Sequence, residues 1–140
     1  MDDLAIRAAT DADLDRVLAF WKTAAEGTSI SDDTDGVAVL VARDPEALLL
    51  AERNGELAGT VIAAFDGWRC HLYRLAVDPR QRRQGVATAL LTAAEQRFAE
   101  VGGRRADAMV LDRNASGRGA WSAAGYASEP QWSRWVKHLV

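Results

Sequence analysis

The sequence predicts an α+β domain built on a mixed sheet, and three observations carry that reading. Strand-like segments run consecutively over residues 47–77, separated by tight-turn signals at Asn54-Gly55 and Asp66-Gly67. Segments of helical period stand apart from them, before residue 44 and after residue 85. The 140 residues, 49% of them hydrophobic, suffice for one core that buries roughly two thirds of the unfolded chain's surface. A single domain over 1–140 is therefore expected, and antiparallel strand runs combined with segregated helices indicate its class.

Taken in order, LAIRAA (4–9) alternates Leu4, Ile6 and Ala8 on one face, as a strand with one buried side does. Thr10 stands three residues before Asp13, a capping-box-like start, and Leu14, Val17, Leu18 and Trp21 follow at helical spacing. The acidic stretch EGTSISDDTDG (26–36) reads as a loop, and VAVLVAR (37–43) as a short helix ending before Asp44-Pro45. ALLLAER (47–53) and LAGTVIAAF (57–65) flank Asn54-Gly55 as a hairpin, and WRCHLYRLAV (68–77) supplies a third antiparallel strand. Val86, Leu90, Ala94 and Phe98, with Ala87 and Leu91 beside them, form an apolar stripe that Gly102-Gly103 ends; this is the clearest amphipathic helix of the chain. ADAMVLD (106–112) reads as a strand, 115–124 as a short helix and WSRWVKHLV (132–140) as a final strand.

Composition removes several classes of function. Seventeen basic against twenty acidic residues give a net charge of −3, so no global field draws the protein to nucleic acid and no such partner is expected. No run approaches the ~18 apolar residues of a membrane span, and the start is acidic where a secretory signal is basic. A cytoplasmic protein without a membrane partner is the expectation. Cys70 is a lone cysteine, and His71 and His138 sit outside any metal-ligand spacing, so neither a disulfide nor a metal is expected.

One stretch carries chemistry. In DPRQRRQGVATALL (78–91) a strand ends at Val77, a proline-marked turn follows, and glycine opens a helix. The first N–H groups of a helix have no intrahelical acceptor, and the positive end of the helix dipole lies behind them. Together they make an anion site, with phosphate the usual guest. Gly85 lets the backbone approach the anion, and Ala87 keeps the entrance open. Charge-assisted bonds from amides contribute about 1.5–3 kcal/mol each, whereas an exposed ion pair contributes about 0–1 kcal/mol. The amides should thus outweigh Arg80 or Arg83. Neither G-x-x-x-x-G-K-[ST] nor G-x-G-x-x-G is present.

Arg82-Arg83-Gln84-Gly85-Val86-Ala87 resembles the Q/R-x-x-G-x-G/A signature of the GNAT superfamily of N-acetyltransferases. LAVDP before it, ATALL after it and NASGRGAWSAAGY (114–126) resemble the family's flanking and downstream segments, so the likeness covers nearly the whole chain. It implies a GNAT fold, with a mixed, mostly antiparallel twisted sheet of about six to seven strands flanked by about four helices. It also implies acetyl-CoA, or another acyl-CoA, as co-substrate and a small-molecule or peptide amine as acceptor. By the same resemblance the backbone of Leu75, Ala76 and Val77 pairs with the pantetheine arm, and the backbone from Arg82 through Gln84, Gly85, Val86 and Ala87 to Thr88 holds the pyrophosphate. Asn114 matches the family's asparagine, with helix capping as its other reading.

The catalytic groups depart from that pattern. Trp121 stands where many relatives place an acidic tyrosine, and an indole N–H is a very poor acid. Tyr126 follows as a core aromatic. Tyr73 stands where many carry a glutamate; His71, two residues earlier, titrates in the useful range and is the base candidate, with Glu26 weaker. Asp32, Asp33 and Asp35 could draw a cationic amine, or be solvated. Trp68, Trp121, Trp132 and Trp135 could wall an acceptor pocket, or serve as packing residues, and Cys70 reads as packing. These departures keep a second reading open, an acyl-CoA sensor or weak relative. A homodimer through the tryptophan-rich C-terminal strand is a further expectation.

Overall fold

The computed structural model describes residues 3–25, 31–112 and 114–140. Strand β1 (Leu4–Ala8) leads through a turn into helix α1 (Leu14–Ala24), and α2 (Thr34–Arg43) follows. Then come β2 (Leu48–Arg53), β3 (Glu56–Phe65), β4 (Cys70–Val77), α3 (Val86–Glu100), β5 (Ala106–Ala108) and α4 (Ala115–Ala123). The sheet runs β1-β2-β3-β4-β5; the first four strands are antiparallel, and β5 lies parallel to β4 across the α3 crossover.

Each start and turn has a local cause. Asp13 accepts from the Thr10 N–H at 2.8 Å and fixes the entry to α1. Asn54 (φ 55°) and Gly55 (φ 79°) both adopt the left-handed region, which a two-residue hairpin of this hand requires. Buried side chains of β2 alternate between two layers. Leu48 and Leu50 join Val17, Trp21 and Val41 beneath α1 and α2. Leu49 and Ala51 join Val61, Leu72, Leu90 and Phe98 beneath α3. The apolar stripe of α3 thus faces the sheet, burying Val86, Leu90, Leu91, Ala94 and Phe98.

Two expectations about strands are corrected. The sheet has five strands among the described residues, fewer than six to seven. The C-terminal segment 132–140 forms none: Trp132, Trp135, Val136, Leu139 and Val140 recur at steps of three and four, without the strict alternation that would give a strand one buried face, and all five are exposed. The strand expected to carry a dimer is therefore not formed in the single chain. β5 is also shorter than residues 106–112, pairing only as Cys70 with Ala106, His71 with Asp107 and Leu72 with Ala108. No helix among the described residues is long and apolar enough to cross a membrane.

Candidate functional site

Where β5 stops, β4 continues. From Leu75 to Val77 its β5 side has no ladder partner among the described residues, so this edge of the strand faces a space instead of another strand. The same stretch carries an irregularity: Thr60 pairs with Ala76 but Ile62 with Tyr73, so two steps on β3 oppose three on β4. The extra residue is a β-bulge, and Arg74 within it has φ 53°.

The space beside that edge is a cavity of about 740 Å³, within the range of small-molecule and cofactor sites. Its walls are Leu75, Ala76 and Val77 of β4, the turn from Gln81 through Arg82 and Arg83 to Gly85, the first turn of α3 at Val86, Ala87 and Thr88, and the α4 face from Asn114 to Ala123 including Trp121; Ala24 closes the α1 end. A second cavity of nearly equal size, about 710 Å³, lies between β1 and α3 with Arg7, Glu46, Arg97 and Glu100 on its walls. Volume does not choose between them. The first brings a strand edge and a helix start to one space; the second, walled by β1 and the later turns of α3, has opposed charges and no helix start.

The turn is held from behind. Arg53 of β2 donates to the side-chain carbonyls of Gln81 (2.9 Å) and Gln84 (3.1 Å). The Gln84 side chain thereby anchors the loop, and Gln84 is not among the residues lining the cavity. Gly85 is the N-cap of α3 at φ 81°, and the Ala89 N–H donates to its carbonyl at 3.0 Å. The N–H groups of Val86, Ala87 and Thr88 precede that first bond and have no acceptor within the helix. Arg82 and Arg83 are the only ionisable side chains among the described residues lining the cavity, so the charge on that wall is positive. Arg80 is not on the wall; it turns onto Asp78 at 3.0 Å with its side chain 80% exposed.

Asn114 lines the cavity and is also the cap of α4, accepting from the Gly117 N–H at 2.9 Å. Trp121 lines it too, but is 8% exposed and packs edge-to-face on Tyr126 with centroids 5.0 Å apart. The Tyr126 hydroxyl donates to Glu95 at 2.9 Å; burial first, and Glu95 second, hold this phenol well above its usual range. Burial likewise pushes the Cys70 thiol up, as suits a packing residue.

His71 and Tyr73 do not line the cavity. The His71 ring lies between two carboxylates, with Nδ1 2.9 Å from Asp107 and Nε2 3.0 Å from Asp66. Two acceptors require two N–H donors, the protonated ring, and an imidazolium has no lone pair with which to take a proton. Asp107, then Asp66, raise the His71 pKa against the opposing effect of partial burial. The ring therefore clasps β4, β5 and the β3–β4 turn. A folded-state pKa above the unfolded value gives stability that is complete below about pH 6.5 and lost as pH rises through the folded pKa. Urea unfolding between pH 5 and 9 should show this alkaline decline in the native protein and a flatter profile in His71→Gln; parallel profiles would contradict the clasp. Asp66, lowered to about 2 by the Arg69 backbone N–H first and His71 second, limits the acid side: its contribution is present above its unfolded pKa and lost as pH falls toward 2.

The acidic loop is more committed than its composition suggested. Asp33 caps α2, accepting from the Gly36 N–H at 2.7 Å, and Asp32 forms an ion pair with Arg74. Glu26 lies outside the described residues. Of the four tryptophans considered as pocket walls, Trp68, Trp132 and Trp135 are exposed and only Trp121 reaches the cavity. The small residues of α4 facing the cavity, Ser116, Gly117, Gly119 and Ala120, were not anticipated; their signal is the run ASGRGA itself, whose side chains leave room.

Residues 8–126 match the model of the Acetyltransferase (GNAT) family. An acetyltransferase of Pectobacterium atrosepticum is 29% identical over 121 residues, covering 86% of each chain. Among solved structures, Ard1 from Thermoplasma volcanium superposes with a TM-score of 0.80 at 20% identity, over 89% of this chain and 83% of that one. The PaiA N-acetyltransferase from Thermoplasma acidophilum, solved in complex with coenzyme A, gives 0.75 at 17% identity, over 90% of this chain and 91% of that one.

Proposed function

The chain belongs to the GNAT family of acetyltransferases and is an acyltransferase; on that premise we propose that it moves an acetyl group from acetyl-CoA to a primary amine of a small molecule or peptide. The observation that carries this reading is a cavity on whose wall a strand edge and the open N-terminus of a helix face the same space. An extended amide-bearing arm fits the first and a pyrophosphate fits the second.

In this reading the free edge of β4 from Leu75 to Val77 binds the pantetheine arm as a missing strand would. The amides from Gly85 to Thr88, with Arg82 and Arg83 beside them, hold the pyrophosphate. Gly85 leaves the approach clear, since a Cβ built on it meets nothing within 4 Å. The thioester supplies the activated acetyl group. An amine attacks its carbonyl carbon, the N–C bond forms, the C–S bond breaks, and the thiolate gains a proton as the nitrogen loses one. A backbone N–H of β4 facing the carbonyl oxygen favours the charge that develops there. Because the ionisable groups on the described wall are arginines, proton transfer falls to water and to the acceptor itself. Trp121 closes the site as an apolar wall and donates no acidic proton.

The test is calorimetric titration with coenzyme A followed by thiol release from acetyl-CoA across a panel of amines and peptides. Binding together with amine-dependent release is expected. Absence of binding would overturn the reading. Binding without release from any amine would favour an acyl-CoA sensor, the alternative to which Trp121 and the clasped His71 give weight.

A further inference from the structure

The residue just before the cavity-lining part of β4 is in a costly conformation, and the structure fixes it from three directions. Arg74 has φ 53°, the left-handed region that is unfavourable for a residue with a Cβ. Its carbonyl accepts from the Thr60 hydroxyl at 2.9 Å. Its guanidinium pairs with Asp32 and lies over the Trp21 ring, 5.6 Å from the centroid. The Trp21 indole N–H donates to the Thr60 oxygen at 2.8 Å.

Trp21, Thr60 and Arg74 thus form a chain from α1 through β3 to β4. Thr60 is fully buried and Trp21 is 6% exposed. Removing the Thr60 hydroxyl would take the acceptor from the buried Trp21 N–H and a donor from the Arg74 carbonyl. An ordinary β3 residue would need no hydroxyl here. The bulge uses one: within the register shift between Thr60 and Ile62, the Arg74 carbonyl accepts from the Thr60 hydroxyl.

We propose that Thr60 and Trp21 are positioning residues of the donor site: through the Arg74 carbonyl they hold the bulge that turns Leu75, Ala76 and Val77 toward the cavity. Neither residue lines the cavity. Their effect passes through the direction of the β4 amides, and it rests on the acetyl-transfer reading above only where turnover is the readout.

The experiment uses Thr60→Val, which keeps the shape and removes the hydroxyl, Thr60→Ser, which restores it, and Trp21→Phe, which keeps a ring and removes the N–H. Hydrogen exchange of amides 74–77 is measured first, because it does not depend on any acceptor. At least tenfold faster exchange is expected in Thr60→Val and Trp21→Phe, with exchange in Thr60→Ser within a few-fold of the native rate. With an accepted amine, kcat should fall on the order of 10–100-fold in the first two variants while KM for acetyl-CoA stays within about threefold, as expected of a displaced reacting group. Thr60→Ser should recover most of it. Native exchange rates in Thr60→Val would overturn the proposal. So would losses in kcat that Thr60→Ser fails to restore, since those would mark a packing role. If the native protein acetylates no amine, the functional reading fails and the exchange measurement still decides this one.

Discussion

Gly85→Glu should abolish coenzyme A binding, lowering affinity by more than about 100-fold in calorimetry. Two costs combine. The first is conformational: Gly85 sits at φ 81°, and any residue with a Cβ there is strained by roughly 1–2 kcal/mol. The second is electrostatic: a Cβ at this position points into open space, so the carboxylate is carried to the mouth of an anion site. It would take the amides of the first α3 turn for itself, and each charge-assisted bond so diverted is worth about 1.5–3 kcal/mol. Gly85→Ala separates the costs, because it introduces the strain without the charge, and its affinity should fall by no more than about tenfold. Arg80→Ala should fall by less than about fivefold, since that guanidinium is exposed and turned onto Asp78. Equal losses in Gly85→Glu and Arg80→Ala would show that side-chain charge, not the backbone, holds the anion.

That contrast follows a line that runs through the whole molecule. Features set by local chemistry were legible in the sequence. Asn54-Gly55 specifies its turn, the α3 stripe specifies which face is buried, and the glycine at the helix start specifies free amides; one cavity accordingly has Leu75 to Val77 and Gly85 to Thr88 on its wall. Features set by contacts between distant segments were not. Gln84 fits the motif, yet Arg53, thirty-one residues earlier, draws its side chain away. His71 has the right titration range for a base, but Asp107, thirty-six residues later, and Asp66 occupy both nitrogens. Asp32 and Asp33 look like free acid until the pair with Arg74 and the cap of α2 are seen. Thr60 carries no sequence signal at all, because one threonine in an apolar strand is ordinary; its meaning comes from Trp21, thirty-nine residues away. The terminal segment, read as a final strand, is corrected for a simpler reason: the spacing of its apolar residues gives no alternating face.

The second large effect is expected at Gly59, far from any motif. It pairs with Ala51 and Val77 in the middle of β3. A Cβ there would lie 2.8 Å from Val86 Cγ1, 2.9 Å from the Ala76 carbonyl oxygen and 3.0 Å from Leu90 Cδ1. The carbonyl belongs to a strand and cannot turn aside, so relief must come from α3 moving off the sheet. Overpacking of this kind costs about 1–3 kcal/mol, and Gly59→Ala should lose that much stability in urea unfolding. The consequence for function is larger than the stability loss suggests. Val86 is the first residue of α3 and a wall of the cavity, so the shift carries the helix N-terminus away from the β4 edge that must engage the same ligand. Affinity for coenzyme A should fall by at least tenfold under conditions where the variant remains folded. Gly55→Ala is the control: Gly55 is left-handed, at φ 79°, but its added carbon meets nothing within 4 Å, so the variant should lose stability without losing affinity. Were Gly59→Ala destabilised to the expected degree while binding coenzyme A as tightly as the native protein, the spacing between α3 and the sheet would not be what sets the site.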